Sequence, residues 1–236
     1  MPLLVRTWNV FHGNAHPPRR KGFLRKMVEL ASADRPDVLC LQEVPVWALP
    51  RIADWSGMAS FGAMTRPPLW LGPFSTWLTR VHQGLFRSGL AGQANAILVA
   101  PHHAVTDLGH ERISDDGRER RLVQAVRLDE LGVVVGNLHA SNEFTDVSVP
   151  RTEVERAQSF VELHAGPGDV VVLAGDFNLR EPRLDGYTGA GDGIDHVLVR
   201  GAATGPGVPW PRERRVVGGI VLSDHAPVDS VLEVPT

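Results

Sequence analysis

The sequence predicts a layered α/β fold in which β-sheets are covered by helices. Short apolar runs rich in Val, Leu and Ala recur along the chain and have the length of buried strands. Two longer segments between them carry apolar residues at helical spacing. Strands that alternate with amphipathic helices are typical of sheets packed against helices.

The predicted core strands are the short apolar runs themselves. They cover residues 3–10, 38–41, 94–99, 122–128, 133–138, 170–174, 197–199 and 228–232. The predicted helices cover residues 20–33 and 151–164. Their apolar faces consist of Phe23, Leu24, Met27, Leu30 and Ala31 in the first, and Val154, Ala157, Val161 and His164 in the second.

The length of the chain, 236 residues, suits one large domain or two small ones. The sequence contains no internal repeat and no long linker. Stretches rich in Gly and Pro at 186–193 and 201–211 are interpreted as loops. We therefore predict a single domain over residues 1–236.

The composition is that of an ordinary globular protein. Hydrophobic residues make up 43% and charged residues 22%, and the formal net charge is −3. This balance argues against intrinsic disorder and against broad adhesion to a polyanion, although a local basic patch could still bind phosphate. The single cysteine, Cys40, excludes an intramolecular disulfide and a cysteine-rich metal site.

The sequence also carries information on membranes and location. No apolar run reaches the roughly 18 residues that a spanning helix needs, so no transmembrane segment is predicted. The first residues lack the basic and apolar regions of a secretory signal. We therefore expect a cytoplasmic protein.

The segment 47–86 is the least typical part of the chain, because it concentrates Trp47, Trp55, Trp70 and Trp77. A helix that begins at Pro73 would align Phe74, Trp77, Leu78, Val81 and Leu85 in one apolar stripe. The stripe is open to two interpretations. In the first, the helix packs on the core. In the second, it forms a lid or platform beside the active site that contacts an apolar group, a base or a lipid interface.

Polar side chains stand at the ends of the predicted strands. They are Asn9, Gln42, Glu43, His139, Asp176, Asn178, Asp224 and His225. Singly, each has an ordinary explanation as a cap, a turn former or a buried histidine. Together they predict a cleft lined by carboxylate, amide and imidazole groups.

Two pairs of these residues have a spacing that favours joint action. Asp176 and Asn178 would share one face if their strand continued through both. Asp195 precedes the run 197–199, and its carboxylate could orient the imidazole of His225. Asp176 and His225 would then handle protons on the attacking and leaving sides of a reaction.

A metal site is predicted from the oxygen-bearing residues. Glu43, Asn9 and Asp224 supply hard oxygen ligands without thiolates, which is the set that Mg²⁺ or Mn²⁺ prefers. Such an ion would polarise a phosphoryl oxygen and stabilise developing negative charge.

Six motifs, in this order, resemble those of the endonuclease/exonuclease/phosphatase superfamily. They are Thr7-Trp8-Asn9-Val10, Leu41-Gln42-Glu43, Asn137-Leu138-His139, Gly175-Asp176-Phe177-Asn178, Gly193-Ile194-Asp195-His196-Val197 and Ser223-Asp224-His225-Ala226-Pro227. Each is weak alone, but the ordered set spans residues 7–227. The resemblance implies a four-layer α/β/β/α sandwich of two packed mixed β-sheets flanked by helices, a divalent metal and phosphoester hydrolysis.

The resemblance also implies roles around the metal and the attacking water. Glu43 is similar to the principal metal ligand of the superfamily, with Asn9 and Asp224 in support. Asp176 resembles the residue that activates or positions the water, and Asn178 resembles its orienting partner.

Further implied roles concern the phosphate. His225 with Asp195 resembles the catalytic imidazole and its carboxylate, and His139 resembles a second histidine of the deoxyribonuclease and sphingomyelinase branches that contacts the scissile phosphate. Arg121 and Asn95 match positions that bind phosphate or line the cleft. A solvated charge run is an equal alternative for Arg121, and a buried strand-end amide for Asn95.

The sequence departs from some branches of the superfamily. Apurinic endonucleases carry a mid-chain Tyr, whereas the only Tyr here, Tyr187, follows the Gly175–Asn178 motif, which weakens an abasic-site assignment. Arg212, Arg214 and Arg215 could bind phosphate or form a solvated loop.

The leading hypothesis is an Mg²⁺- or Mn²⁺-dependent phosphodiester hydrolase, nuclease-like in its chemistry, that acts by in-line attack of an activated water. Its substrate would be a phosphoester, including nucleic acid. A lipid or small-molecule phosphoesterase is a second hypothesis, for which peripheral lipid contact is conceivable. A catalytically silent binding module on the same fold is a third.

Overall fold

Two mixed β-sheets packed face to face form the centre of the protein. A computed structural model describes residues 1–19, 21–68, 90–143 and 145–235. Within these residues, helices cover the outer face of each sheet. The predicted four-layer α/β/β/α sandwich is confirmed.

The first sheet has seven strands in its described part. They are β1 (Pro2–Asn9), β3 (Val38–Val44), β4 (Ala59–Arg66), β5 (Gln93–Val99), β12 (Ala203–Thr204), β13 (Val208–Pro209) and β16 (Val228–Glu233). Their order is β12-β16-β1-β3-β5-β4, and β13 also pairs with β16. β1 and β3 run parallel, and the other pairs are antiparallel.

The second sheet has six strands, again counted over the described ranges. They are β6 (Val105–Arg112), β7 (Leu122–Leu128), β8 (Val133–His139), β9 (Val170–Asp176), β10 (Thr188–Asp192) and β11 (Asp195–Arg200). Their order is β10-β11-β9-β8-β7-β6, with β8 and β9 parallel. A small third sheet joins β2 (Ala15–His16), β14 (Val216–Val217) and β15 (Ile220–Leu222).

Three α-helices lie wholly within the described part of the chain: α1 (Leu24–Ser32), α2 (Leu49–Ser56) and α3 (Ser148–Leu163). Met27 of α1 and Ile52 of α2 pack with Leu41 on the outer face of the first sheet. Val154, Ala157 and Val161 of α3 pack with Val134, Val171 and Leu173 of the second sheet. None of the described helices is long and apolar enough to cross a membrane.

A third core lies between the sheets. It contains Val5, Val38 and Ile97 of the first sheet and Val126, Val135 and Val172 of the second, all almost inaccessible to solvent. Because both faces of each central strand are buried, these strands read as continuous apolar runs in the sequence.

A buried ion cluster ties the first sheet to the end of α1. Arg6 on β1 is fully buried and binds Asp34 at 2.6 Å and Asp229 at 2.5 Å. Its guanidinium also lies 4.4 Å from the ring centroid of Trp210. The hydrogen bond from Arg6 lowers the pKa of Asp34 to about 2.

The boundaries of the predicted elements shift by a few residues. The predicted strand 38–41 extends to Val44, 133–138 extends to His139, and 170–174 extends to Asp176. The helix predicted over 20–33 begins only at Leu24, since the N–H of Phe23 bonds the carbonyl of Gly13 instead.

Part of the loop interpretation for 186–193 and 201–211 is wrong. β10 lies in the first stretch, and β12 and β13 lie in the second. β10 is rich in glycine because it lies very close to β11: a Cβ on Gly191 would stand 1.7 Å from the carbonyl oxygen of Asp195. The glycines that resemble a loop signal thus permit close strand pairing.

Candidate active site

The candidate site lies at the edge of the sandwich where the parallel strand pairs end. In the first sheet, Asn9 at the end of β1 lies opposite Gln42 of β3. In the second sheet, Asp176 at the end of β9 is flanked by His139 of β8 and Asp195 of β11. Register alone therefore brings three predicted site residues side by side.

Amide side chains hold the two sheets together at this edge. Gln42 donates to Oγ1 of Thr7 at 3.0 Å and to Oδ1 of Asn137 at 2.8 Å. Asn137 in turn donates to the carbonyls of Leu41 and Ala96, each at 3.0 Å. This buried network fixes how the site residues of one sheet face those of the other.

Asp176 is the centre of the site. Its Oδ2 accepts a hydrogen bond from Nδ2 of Asn9 at 3.0 Å. The same oxygen lies 3.6 Å from Nε2 of His139 and 3.9 Å from Nε2 of His225. Burial, reinforced by the negative charge of Asp195, raises the pKa of Asp176 to about 7. This carboxyl can therefore take up or release a proton near neutral pH.

His225 and Asp195 form a hydrogen-bonded pair. Nδ1 of His225 donates to Oδ2 of Asp195 at 2.7 Å, which leaves Nε2 facing Asp176. Burial opposes the charged imidazole, but Asp195, Asp176 and Asp224 together raise the pKa of His225 to about 10. The imidazole is consequently a proton donor over the neutral range.

His139 is buried against Gln93, the first residue of β5. The amide Nε2 of Gln93 lies 3.3 Å from Nδ1 of His139. Because the amide nitrogen is a donor, Nδ1 of His139 accepts, and Nε2 of His139 carries the proton. Burial and the charge of Arg121 hold the pKa of His139 well below its usual range. His139 is thus a neutral hydrogen-bond donor next to Asp176.

Glu43 has a partner that sequence reasoning missed, His12. Nε2 of His12 lies 3.0 Å from Oε2 of Glu43, and both residues adopt left-handed backbone, with φ +53° at His12 and +54° at Glu43. Burial opposes ionisation of Glu43, but hydrogen bonds from His12 and Asn9 hold its pKa well below the usual range. Glu43 is therefore a carboxylate.

The loop after β1 brings His12 to this position. A Cβ on Gly13 would stand 2.6 Å from Cβ of Leu24, so only glycine lets the loop lie this close to α1. The one sequence signal for His12 was its place three residues after Asn9. Gln93 had no signal, because its contact with His139 depends on sheet packing.

Asn178 does not share a strand face with Asp176, because β9 ends at Asp176 and Asn178 has φ +50°. A turn brings them together instead: the N–H of Asn178 donates to Oδ1 of Asp176 at 3.1 Å. The side-chain amide of Asn178 donates to the carbonyl of Ala140 at 2.9 Å.

The remaining predicted residues lie at different depths. Asp224 is exposed, and its carboxylate accepts a hydrogen bond from Ser223 at 3.4 Å. Arg121 is buried; its guanidinium bonds Glu119, and its Nε has no partner among the described residues. Asn95 is fully buried and donates to the carbonyl of Leu122 at 3.4 Å.

The donor groups fit a divalent cation. Glu43 and Asp176 both contact the side chain of Asn9. Ligand atoms of Asp176, Asp195 and His225 also lie within 4.8 Å of one another. The site therefore offers groups that could bind a metal ion.

The tryptophans of segment 47–86 are described only in part. Trp47 and Trp55 pack against each other and the helix-side core, with ring centroids 6.3 Å apart. Trp70, Trp77 and the helix predicted from Pro73 lie outside the described residues.

The basic loop is engaged in structural contacts. Arg214 stacks on Trp210 at 3.5 Å and binds Asp34 at 2.7 Å. Arg215 donates to the carbonyls of Leu222 and Ser223. These two arginines therefore stabilise the fold.

Comparison with known proteins identifies the family of the chain. The sequence model of the Endonuclease/Exonuclease/phosphatase family matches residues 7–225, so the chain belongs to this family. Family members are typically hydrolases that act on phosphoester bonds. The superfamily resemblance read from the six motifs is confirmed.

Solved structures agree on the fold. An endonuclease/exonuclease/phosphatase from Beutenbergia cavernae is 19% identical, with a TM-score of 0.71 over 99% of this chain and 72% of that one. TDP2 from Caenorhabditis elegans is 16% identical, with a TM-score of 0.67 over 98% and 74%. A mannosyl-6-phosphatase from Bacteroides thetaiotaomicron is 16% identical, with a TM-score of 0.66 over 98% and 99%. No curated protein matches the sequence.

Proposed function

We propose that the protein is a metal-dependent phosphodiester hydrolase, nuclease-like in its chemistry, in which an activated water attacks phosphorus in line with the leaving group. The observation that carries this proposal is the convergence of three side chains on Oδ2 of Asp176. They are Asn9, His139 and His225. The carboxyl thus lies where one group can take a proton while neighbouring donors bind the phosphate.

Glu43, Asn9 and Asp224 would hold Mg²⁺ or Mn²⁺, which supplies charge stabilisation at a phosphoryl oxygen when bound. The lowered pKa of Glu43 supports this assignment. A carboxylate that is ionised at neutral pH can bind a cation without first losing a proton.

Asp176 and His225 divide the proton transfers. Asp176, with a pKa of about 7, accepts the proton of the attacking water, while the N–H of Asn178 holds its other oxygen. His225 carries a proton on Nε2 and can give it to the leaving oxygen. Asp195 keeps the imidazole in the orientation that this transfer needs.

His139 and Arg121 would contact the phosphate. His139 is neutral and carries its proton on Nε2, facing Asp176. The positive charge of Arg121 contributes to lowering the pKa of His139, which supports a place for Arg121 near the same phosphate. Buried, fixed donors of this kind stabilise negative charge that develops on a phosphoryl group. Oδ1 of Asn95 has no hydrogen-bond partner among the described residues, which supports a place for this residue at the cleft.

His12 acts as a positioning residue in this scheme. Its hydrogen bond fixes Oε2 of Glu43 and so orients the carboxylate for a cation. Groups that orient a ligating carboxylate typically affect metal affinity as well as rate.

A second candidate is a small-molecule or lipid phosphoesterase. It is favoured by the contacts of Arg214 with Asp34 and of Arg215 with the carbonyl of Leu222, because these contacts leave the two arginines less available to a long polyanion. The two candidates share the same chemistry and differ in substrate.

Hydrolysis of a substrate panel tests both. Purified protein is assayed on an activated phosphodiester, DNA, RNA, sphingomyelin, phosphoinositides and nucleotides, with Mg²⁺, with Mn²⁺ and with a chelator. We expect metal-dependent hydrolysis of the activated diester. The natural compound that is hydrolysed fastest then shows whether the enzyme is a nuclease or a lipid or small-molecule phosphoesterase. Absence of turnover on every compound, with metal binding intact, would contradict the proposal and favour the silent binding module. The single domain over 1–236 and the cytoplasmic location stay predictions.

A further inference from the structure

A second cluster of metal-ligating side chains lies at the opposite end of the sandwich. Asp37 precedes β3, whose far end carries Glu43, and His102 and His103 follow β5, whose first residue is Gln93. Six strand positions separate Asp37 from Glu43, which corresponds to about 20 Å. The cluster is therefore distinct from the candidate active site.

Two imidazole nitrogens converge on one carboxylate oxygen in this cluster. Nε2 of His102 lies 3.3 Å from Oδ1 of Asp37, and Nε2 of His103 lies 3.0 Å from the same atom. The three ligand atoms lie within 4.8 Å of one another. Two ligands bound to Zn²⁺ at tetrahedral angles stand about 3.3 Å apart, so these separations match a shared ion.

The other atoms of these ligands are already oriented by outer partners. Nδ1 of His103 hydrogen-bonds Oε1 of Glu130 at 2.7 Å. Oδ2 of Asp37 accepts the backbone N–H of Leu4 at 2.8 Å. In metal sites, the ring nitrogen of a histidine that does not bind the ion usually hydrogen-bonds a carboxylate, and a ligating carboxylate is itself hydrogen-bonded. His103 and Asp37 have both kinds of partner.

Burial and access also suit a bound ion. The side chain of His103 is 3% exposed, whereas that of His102 is 64% exposed. His102 also lines a surface groove of about 630 Å³, through which an ion could enter. One side of the site is thus buried and the other is open to solvent.

We propose that Asp37, His102 and His103 form a binding site for a divalent transition-metal ion of the Zn²⁺ type. Two imidazoles with one carboxylate are the donors that Zn²⁺ accepts, whereas Mg²⁺ prefers oxygen alone. Three protein ligands leave a fourth position open towards the groove.

Calorimetric titration with Zn²⁺ of the full chain, stripped of metal by a chelator, tests the site. The test variant is His102→Ala, which removes an exposed side chain and leaves His103 in place. The matched control is His110→Ala, an exposed histidine on β6. We expect His102→Ala to bind one Zn²⁺ ion fewer than the control, or to bind it more than about 10-fold more weakly.

The comparison between variants remains valid even if Zn²⁺ also binds at the candidate active site, because that site is intact in both. Co²⁺ provides a second readout, since imidazole ligation gives visible absorption bands that His102→Ala should weaken. Thermal melting without metal checks that both variants fold. Equal stoichiometry, equal affinity and equal Co²⁺ spectra in His102→Ala and His110→Ala would overturn the proposal.

Discussion

The Nδ1 atom of His225 lies 2.7 Å from Oδ2 of Asp195, and this contact directs the opposite ring nitrogen towards Asp176. The three residues come from two sheets, since Asp176 and Asp195 are neighbours in the second sheet and His225 precedes β16 of the first. Proton transfer in the proposed reaction therefore depends on how the sheets pack.

Asp195→Asn should lower kcat by about 10²–10⁴-fold while metal affinity is retained, because the amide no longer stabilises the charged imidazole in the required orientation. Steady-state kinetics and a metal titration measure the two effects. Asp192→Asn, an exposed residue on the neighbouring strand, is the matched control. Full activity in Asp195→Asn would contradict the role of the pair.

Glu43→Gln should weaken Mg²⁺ or Mn²⁺ binding at least about 10-fold, because it removes the ionised carboxylate. Calorimetry with Mg²⁺, or magnetic resonance of free Mn²⁺, gives the affinity directly. Glu111→Gln, an exposed carboxylate on β6, controls for general loss of negative charge. Unchanged affinity in Glu43→Gln would show that the cation binds elsewhere.

His12→Ala should reduce metal affinity or kcat by about 10-fold, since Glu43 loses the hydrogen bond that fixes it. His12→Gln retains an N–H donor and should recover most of the loss. A purely structural role would appear as lower thermal stability in both variants without recovery by Gln. That result would contradict the proposal that His12 positions Glu43.

Gly191→Ala should destabilise the protein by about 2 kcal/mol, because the new Cβ meets the backbone of Asp195. Denaturant unfolding measures the change in the free energy of unfolding. Gly205→Ala is the matched control, since nothing lies within 4 Å of its Cβ position. If the two variants are equally stable, β10 does not pair as closely as described.

Asp34 should make the protein sensitive to acid. Its pKa of about 2 lies below the unfolded value of about 3.9. A depressed carboxyl pKa stabilises the folded state above the unfolded pKa, and this contribution is lost as pH falls towards 2.

Denaturant unfolding between pH 5 and about 2 measures this effect. Wild type should lose more stability over that interval than Asp34→Asn, in which the titrating group is absent. Asp54→Asn, an exposed carboxylate on α2, should behave like wild type. Identical pH profiles for wild type and Asp34→Asn would contradict the expectation.

Much of the fold could be predicted because central strands buried on both faces leave a continuous apolar signature. The segment 122–128 matches β7 residue for residue, and the other core strands differ only at their ends. The edge strands β4 and β6 were missed, since each exposes much of its length and lacks that signature. β10 was not predicted as a strand, because the glycines that allow its close pairing with β11 are typical of loops.

The sequence by itself determined the family and the order of site residues, because short motifs and apolar runs are local properties of the chain. Tertiary structure alone decided which atoms meet. It brought His12 to Glu43, Gln93 to His139, and Asp37 to two histidines more than sixty positions away. Such contacts are set by strand register and sheet packing, whose energies depend on residues distant in sequence, so no local pattern could have indicated them.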